Sequence, residues 1–261
     1  MLTVRNAARE RLEQGELALG AGIKLARTVE IAKLMKTAGY DWLFIDLEHG
    51  AMSLDNACQI SVAALDAGLA PIVRVPSGEY SMATRALDNG ALGIVLPHVN
   101  SVDEARRAVE RLKFPPMGHR SIAGALPQLD YQSVKTTELV ESLNAASLVI
   151  AMIESPEAVE IADQIAAVPG IDILLIGTND LCAEMGIHGD VGNPRVVEAY
   201  KQVGEACRKH NKWLGMGGVY IEDIMQRYIG LGVRLILSGN DLTFLLAASK
   251  ARAGFLRKIA L

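Results

Sequence analysis

Across 261 residues the chain is 50% hydrophobic, 21% charged and 5% aromatic, the balance of an ordinary globular protein with an aliphatic core. A formal net charge of −4 and a pI near 5.8 argue against a nucleic-acid or anionic-membrane binder. Cys58, Cys182 and Cys207 are odd in number and widely spaced, which argues against a disulfide frame or structural zinc and for a reducing compartment, the cytoplasm.

The first residues, MLTVRNAARERLEQGE, are polar with helical spacing and show neither the apolar stretch nor the cleavage site of a leader. No window approaches the roughly 18 uninterrupted apolar residues of a membrane span. Strands are predicted at about 17–24, 42–47, 71–75 and 92–97. Between the second and third lies SLDNACQISVAALDAG, a helix capped by Ser53 and stopped by Gly68. The connection from Lys113 to Ala146, with Pro115-Pro116 and Gly118, is too long for an ordinary loop and reads as a functional one or a hidden element.

Four more strands are expected at about 148–153, 172–176, 213–217 and 233–237. SPEAVEIADQIAAVPG follows the fifth, with Ser155 as N-cap, Pro156 in the first turn and Pro169-Gly170 as the stop. The basic runs Arg106-Arg107 and Arg208-Lys209-His210 fall on helical segments and read as solvated faces. The last segment, DLTFLLAASKARAGFLRKIAL, carries Leu and Phe residues that need a partner surface, on the same unit or on a neighbour.

The strand runs are continuous rather than alternating, as in parallel strands covered on both faces. Eight of them alternating with helices predict a (β/α)8 TIM barrel forming one domain, residues 1–261. An open doubly wound sheet is the alternative, but neither GxGxxG nor a P-loop follows the first strand.

In such a barrel the active site lies at the C-terminal ends of the strands. There the second strand brings Asp46, Glu48 and His49, the third Arg74, the fourth His98 and the fifth Glu154. GTNDL, residues 177–181, follows the sixth; Gly217-Gly218 and Ser238-Gly239 after the last two leave room. Charge at a buried strand end costs several kcal/mol unless something pairs with it, so the charged end of WLFIDLEHG demands a reason. Glu154 and Asp180, on successive strands, can converge on an octahedral Mg²⁺ or Mn²⁺, or each can cap a helix or pair with a base. Arg74 can clamp a substrate carboxylate or pair with a barrel acid. His49 is the acid–base candidate, with Asp46 close enough in sequence to orient it. Lys24 could end the first strand as a Schiff-base lysine.

IDLEHG, PIVRVP, LDNGALGIVLPHV, FPPMGHRS, MIESPEA and LIGTNDLCAEMG, in this order, resemble the metal-dependent pyruvate aldolases of the HpcH/HpaI family over most of the chain. The resemblance implies a homo-oligomer, trimer or hexamer, that cleaves a 4-hydroxy-2-oxo acid into pyruvate and an aldehyde through an enolate stabilised by Mg²⁺, Mn²⁺ or Co²⁺. It implies Glu154 and Asp180 as metal ligands, Arg74 as carboxylate binder and His49 as catalytic base, assisted by Asp46 and by Asp88 from a neighbouring subunit. Gly177, Thr178, Asn179 and Asp180 would contact substrate, and Arg120 would border the site on the long loop. Met152 stands where the family commonly has Gln, and Ser121 where it usually has Gly, so the pocket departs from the pattern. A CoA-ester lyase, an oxaloacetate decarboxylase, an enolate-trapping synthase and a 2-oxo-acid-binding barrel are the other readings.

Overall fold

In the computed structural model, which describes residues 3–260, eight parallel strands close into a barrel in sequence order. They are β1 (Ala18–Ile23), β2 (Trp42–Asp46), β3 (Ala70–Arg74), β4 (Gly93–Leu96), β5 (Leu148–Ile153), β6 (Ile173–Gly177), β7 (Trp213–Gly217) and β8 (Val233–Asn240). β8 runs three residues past the predicted end, because Ser238, Gly239 and Asn240 extend the strand and Asn240 registers with Gly22 of β1 despite their polarity.

Alternation along each strand splits the apolar residues into two cores. Trp42, Phe44, Ile72, Ile150, Met152, Ile173 and Leu175 belong to one buried cluster, which fills the barrel. Leu43, Ile45, Val73, Ile94, Val149, Ile153, Leu174 and Ile176 belong to a second cluster, beneath the helices. The covering helices include α1 (Ala7–Glu13), α2 (Glu30–Thr37), α3 (Leu54–Asp66), α4 (Tyr80–Asp88) and α5 (Val102–Leu112). Ser53 caps α3 as its sequence predicts, accepting from the Asn56 N–H. Asn6 caps α1 and ties it to the carbonyls of Leu92 and Ala146, which seats Ala8 and Leu12 in the inner core.

The long connection holds a helix, α6 (Thr136–Ala146), and a short 3₁₀ turn, Pro127–Leu129. Leu139 and Leu143 of α6 pack with Phe114, Leu126 and Leu129 as a small separate core. The helix predicted after β5 breaks at Ile161 into α7 (Pro156–Glu160) and α8 (Ala162–Ala166). The remaining helices are α9 (Thr178–Glu184), α10 (Pro194–Lys209), α11 (Glu222–Gly230) and α12 (Asp241–Leu256). No helix among the described residues is long and apolar enough to cross a membrane.

At Gly20 a Cβ would enter the indole of Trp42, whose Nε1 donates to the Ala18 carbonyl at 3.1 Å. Gly20→Ala therefore overpacks the barrel floor, at a cost of about 1–3 kcal/mol. Calorimetry should show a melting temperature lower by at least about 2 °C, with the circular dichroism of the folded state retained.

Candidate active site

Asp46 and Arg74 are register partners at the ends of β2 and β3, on the inward parity of Phe44 and Ile72. Their side chains meet in a fork: Arg74 Nε donates to Asp46 Oδ1 at 2.9 Å and Nη2 to Oδ2 at 2.6 Å. The guanidinium lies 5.0 Å above the Phe44 ring, and its Nη1 pairs with Glu48 Oε2 at 3.0 Å. Asp46 is 1% exposed; burial favours its neutral acid, but Arg74, the His49 N–H and the charge of Lys24 together hold its carboxyl below the usual range.

Asp46 thus serves Arg74 and the backbone. Its Oδ1 accepts the N–H groups of Glu48 and His49 at 3.1 and 3.2 Å, which fixes the turn that presents His49. The carboxylate paired with the exposed His49 imidazole is that of Glu48, 3.8 Å from Nε2. Glu48 is the residue that sequence reasoning left without a role. Its only signal is an acidic side chain between a strand-end Asp and a His.

Glu154, 2% exposed at the end of β5, accepts the His98 N–H at 2.8 Å through Oε2, with His98 Nδ1 3.3 Å from the same oxygen. His98 adopts a left-handed backbone, φ 52°, to make this contact. The other oxygen lies against Gly177, where any Cβ would collide with the Glu154 carboxylate. Desolvation raises the Glu154 pKa to about 7; the His98 N–H and ring oppose it, the Asp180 charge adds to it, and Arg74 opposes it more weakly.

Asp180 is exposed in the first turn of α9 and takes no hydrogen bond or ion pair from a described residue, so it is not spent as a cap. The N-cap is Gly177, which has no side chain to satisfy the first N–H groups of the helix. Thr178 turns its hydroxyl outward to Tyr200 at 2.8 Å, so only its backbone is free to meet a ligand.

Arg74, His49 and the turn from Gly177 to Asp180 border a cleft of about 130 Å³ at the C-terminal mouth of the barrel. Its walls are Lys24, Phe44, His49, Arg74, Met152, Leu175, Gly177 to Asp180, Tyr220 and Asn240, with Gly22, Gly217, Gly218 and Gly239 leaving space. Asp88 and Arg120 lie elsewhere. They pair with each other at 2.6 Å, Arg120 stacks 4.4 Å above Phe114, and both line a separate hollow with Ser121, Thr84, Arg107 and His119.

Glu154 and Asp180 suit an oxygen-preferring divalent cation that keeps open positions for water and substrate. No group of three or more His, Cys, Asp or Glu among the described residues is placed to hold a metal ion. A buried carboxylate lacking a full counter-charge beside a carboxylate without a partner is what a cation would satisfy.

The sequence model of the HpcH/HpaI aldolase/citrate lyase family matches residues 25–246. The chain belongs to this family. It is 38% identical to the 4-hydroxy-4-methyl-2-oxoglutarate aldolase tasA of Hapsidospora irregularis, over 100% of this chain and 98% of that one. It is 32% identical to the hydroxypyruvate/pyruvate aldolase of Paraburkholderia phytofirmans, over 96% and 97%. Among solved structures, the HpcH/HpaI aldolase of Desulfitobacterium hafniense superposes with a TM-score of 0.91 at 28% identity, covering 97% of both chains. The protein is a carbon–carbon lyase, a metal-dependent class II aldolase.

The raised Glu154 pKa has a consequence for the metal-free protein. The unfolded chain ionises Glu154 near its ordinary 4.5 and the folded chain near 7, so stability falls as pH rises through that window and the full cost is present above it. Glu154→Gln removes the cost while keeping an acceptor for the His98 N–H. By thermal denaturation the metal-free variant should melt above the metal-free wild type at pH 8, and the two should converge near pH 5. Mn²⁺ should raise the melting temperature of the wild type only.

Proposed function

We propose that the protein reversibly cleaves a 4-hydroxy-2-oxo acid into pyruvate, or a close 2-oxo acid, and a second carbonyl compound. The observation that carries this reading is the convergence of Asp180, Arg74 and His49 on one small cleft, with Glu154 buried against its Gly177 wall and within the field of Asp180 and Arg74. The similarity to 4-hydroxy-4-methyl-2-oxoglutarate aldolases supports the substrate class.

Glu154 and Asp180 would hold a divalent cation, Mg²⁺, Mn²⁺ or Co²⁺. When bound, it supplies a Lewis acid for the carbonyl of the 2-oxo acid. Arg74, pre-set by Asp46 and Glu48, presents its remaining edge to the substrate carboxylate or carbonyl oxygen. The backbone from Gly177 to Asp180 offers N–H groups at the same end. His49, with Glu48 beside its ring, takes the proton of the C4 hydroxyl. The C3–C4 bond then breaks, its electron pair passes to the 2-oxo acid fragment, and a proton returns to C3. Met152 and Leu175 close the apolar floor beneath.

The working unit is a homo-oligomer, trimer or hexamer, of one-domain chains spanning residues 1–261. The segment expected to need a partner is α12, of which only Asp241 is buried. Leu242, Leu245, Leu246, Phe255, Leu256 and Ile259 are each 47–60% exposed. In such an assembly Asp88, held by Arg120 outside its own cleft, would complete a neighbour's site. The three free thiols support a reducing compartment, the cytoplasm.

The test is deuterium uptake into the pyruvate methyl group in D₂O, followed by NMR without metal, with each of the three cations, and with a chelator. Exchange that requires a cation is expected; none with any cation in a folded sample overturns the reading. His49→Ala should lower aldol cleavage at least about 100-fold with unchanged circular dichroism. Leu245→Lys with Leu246→Lys should yield a folded, smaller species by light scattering that has lost cleavage activity.

A further inference from the structure

Lys24 stands just beyond β1, and β1 lies four strands from β5 around the closed ring, across the cleft from Glu154. Its backbone is held from both sides. The N–H groups of Lys24, Leu25 and Ala26 all donate to the Asp241 carboxylate at 2.7–3.1 Å. Arg27 Nη1 donates to the carbonyls of the same three residues at 2.7–3.1 Å. Both polar edges of this loop are consumed within the protein, and what the loop delivers to the cleft is the Lys24 side chain.

The ammonium has no structural task that uses its donors. It forms a long ion pair with Asp46 Oδ2 at 3.6 Å, too far for a hydrogen bond, and Lys24 Nζ donates to no described residue. Asp46 already receives two N–H groups from Arg74 and two from the backbone. Three charged donors therefore face the cleft, one strand from His49, with the side chain 37% exposed. Gly22 and Gly239 beside it leave the wall open. Asp180, without a partner among the described residues, and Glu154, short of positive charge, otherwise repel any anion that Arg74 does not hold.

We propose that Lys24 binds a carboxylate on the carbonyl acceptor. Acceptors that carry a carboxylate beyond the carbonyl are then preferred over neutral aldehydes, and Lys24 is the residue of this chain that sets the preference. This assignment rests on the aldolase reading above. His49 works at the C4 oxygen, and Lys24, one strand further round, holds the charge that the acceptor carries beyond C4.

The experiment compares pyruvate addition to two charged acceptors, glyoxylate and succinic semialdehyde, with addition to their neutral counterparts, glycolaldehyde and butanal. The wild type should favour the charged members in kcat/KM. Lys24→Met and Lys24→Gln should lower the charged-to-neutral ratio about 10–100-fold, the worth of a charge-assisted hydrogen bond, and Lys24→Arg should restore most of it. A ratio that does not move, with both acceptor types losing equally, overturns the assignment and makes Lys24 a support for Asp46. Pyruvate methyl exchange in the same samples separates the two claims. Wild type without exchange sinks the aldolase reading; exchange with an unmoved ratio sinks only the role of Lys24.

Discussion

The fork between Asp46 and Arg74 organises the mouth of the barrel. Two ions taken out of water cost several kcal/mol each, and an Arg–carboxylate pair offsets that only with close, bidentate geometry. Register supplies the geometry: Asp46 and Arg74 are directly opposite on neighbouring strands and share the inward face. Once the fork is closed, the other groups take their places from it. Arg74 Nη1 reaches Glu48, Glu48 stands beside His49, and the Asp46 oxygen holds the turn on which His49 rides. The imidazole stays exposed and adjustable while its footing is buried. That division suits a group that must move protons to and from an entering substrate.

Glu154 is the counterpoint. Where Asp46 is compensated, Glu154 is left short of positive charge, with a carboxyl whose pKa rises to about 7 and an acidic neighbour in Asp180. A fold selected for stability alone would place a neutral side chain there. The surroundings instead preserve the arrangement: Gly177 is bare so that the carboxylate fits, and His98 takes a left-handed backbone to donate to it. Strain and unbalanced charge concentrated at one strand end fit the cation site proposed for Glu154 and Asp180.

Much of this was legible in the sequence. The eight strands fall within a residue or two of their predicted positions at most ends, because apolar runs bounded by Gly and Asp are strong signals. β8 overran its prediction because Ser238, Gly239 and Asn240 extend the strand without apolar side chains. Helix α6 was hidden because its buried stripe, Leu139 and Leu143, packs on a private core with Phe114 and not on the main one. The parity of the site was readable once the barrel was assumed: Asp46 continues Trp42 and Phe44, and Arg74 continues Ala70 and Ile72. Which partner each charge takes was not readable. Asp46 is as near to His49 along the chain as a catalytic helper would be, but strand register hands its carboxylate to Arg74, and register belongs to the assembled sheet.

The ring also explains how one small cleft can treat its two product fragments differently. Parallel strands deliver their C-terminal ends to a common rim, so chemistry on β5 and β6 faces chemistry on β1 and β2 across the axis. The first pair supplies uncompensated oxygen donors; the second supplies a histidine and a lysine. Glycines at 22, 217, 218 and 239 keep the intervening wall open above the floor of Met152 and Leu175. A molecule lying across the mouth, in the proposed reading, would meet a cation-holding pair at one end and groups that carry protons or positive charge at the other. The bond over the centre joins an end held for electron withdrawal to one held for proton removal. That polarity is what scission between C3 and C4 of a 4-hydroxy-2-oxo acid requires.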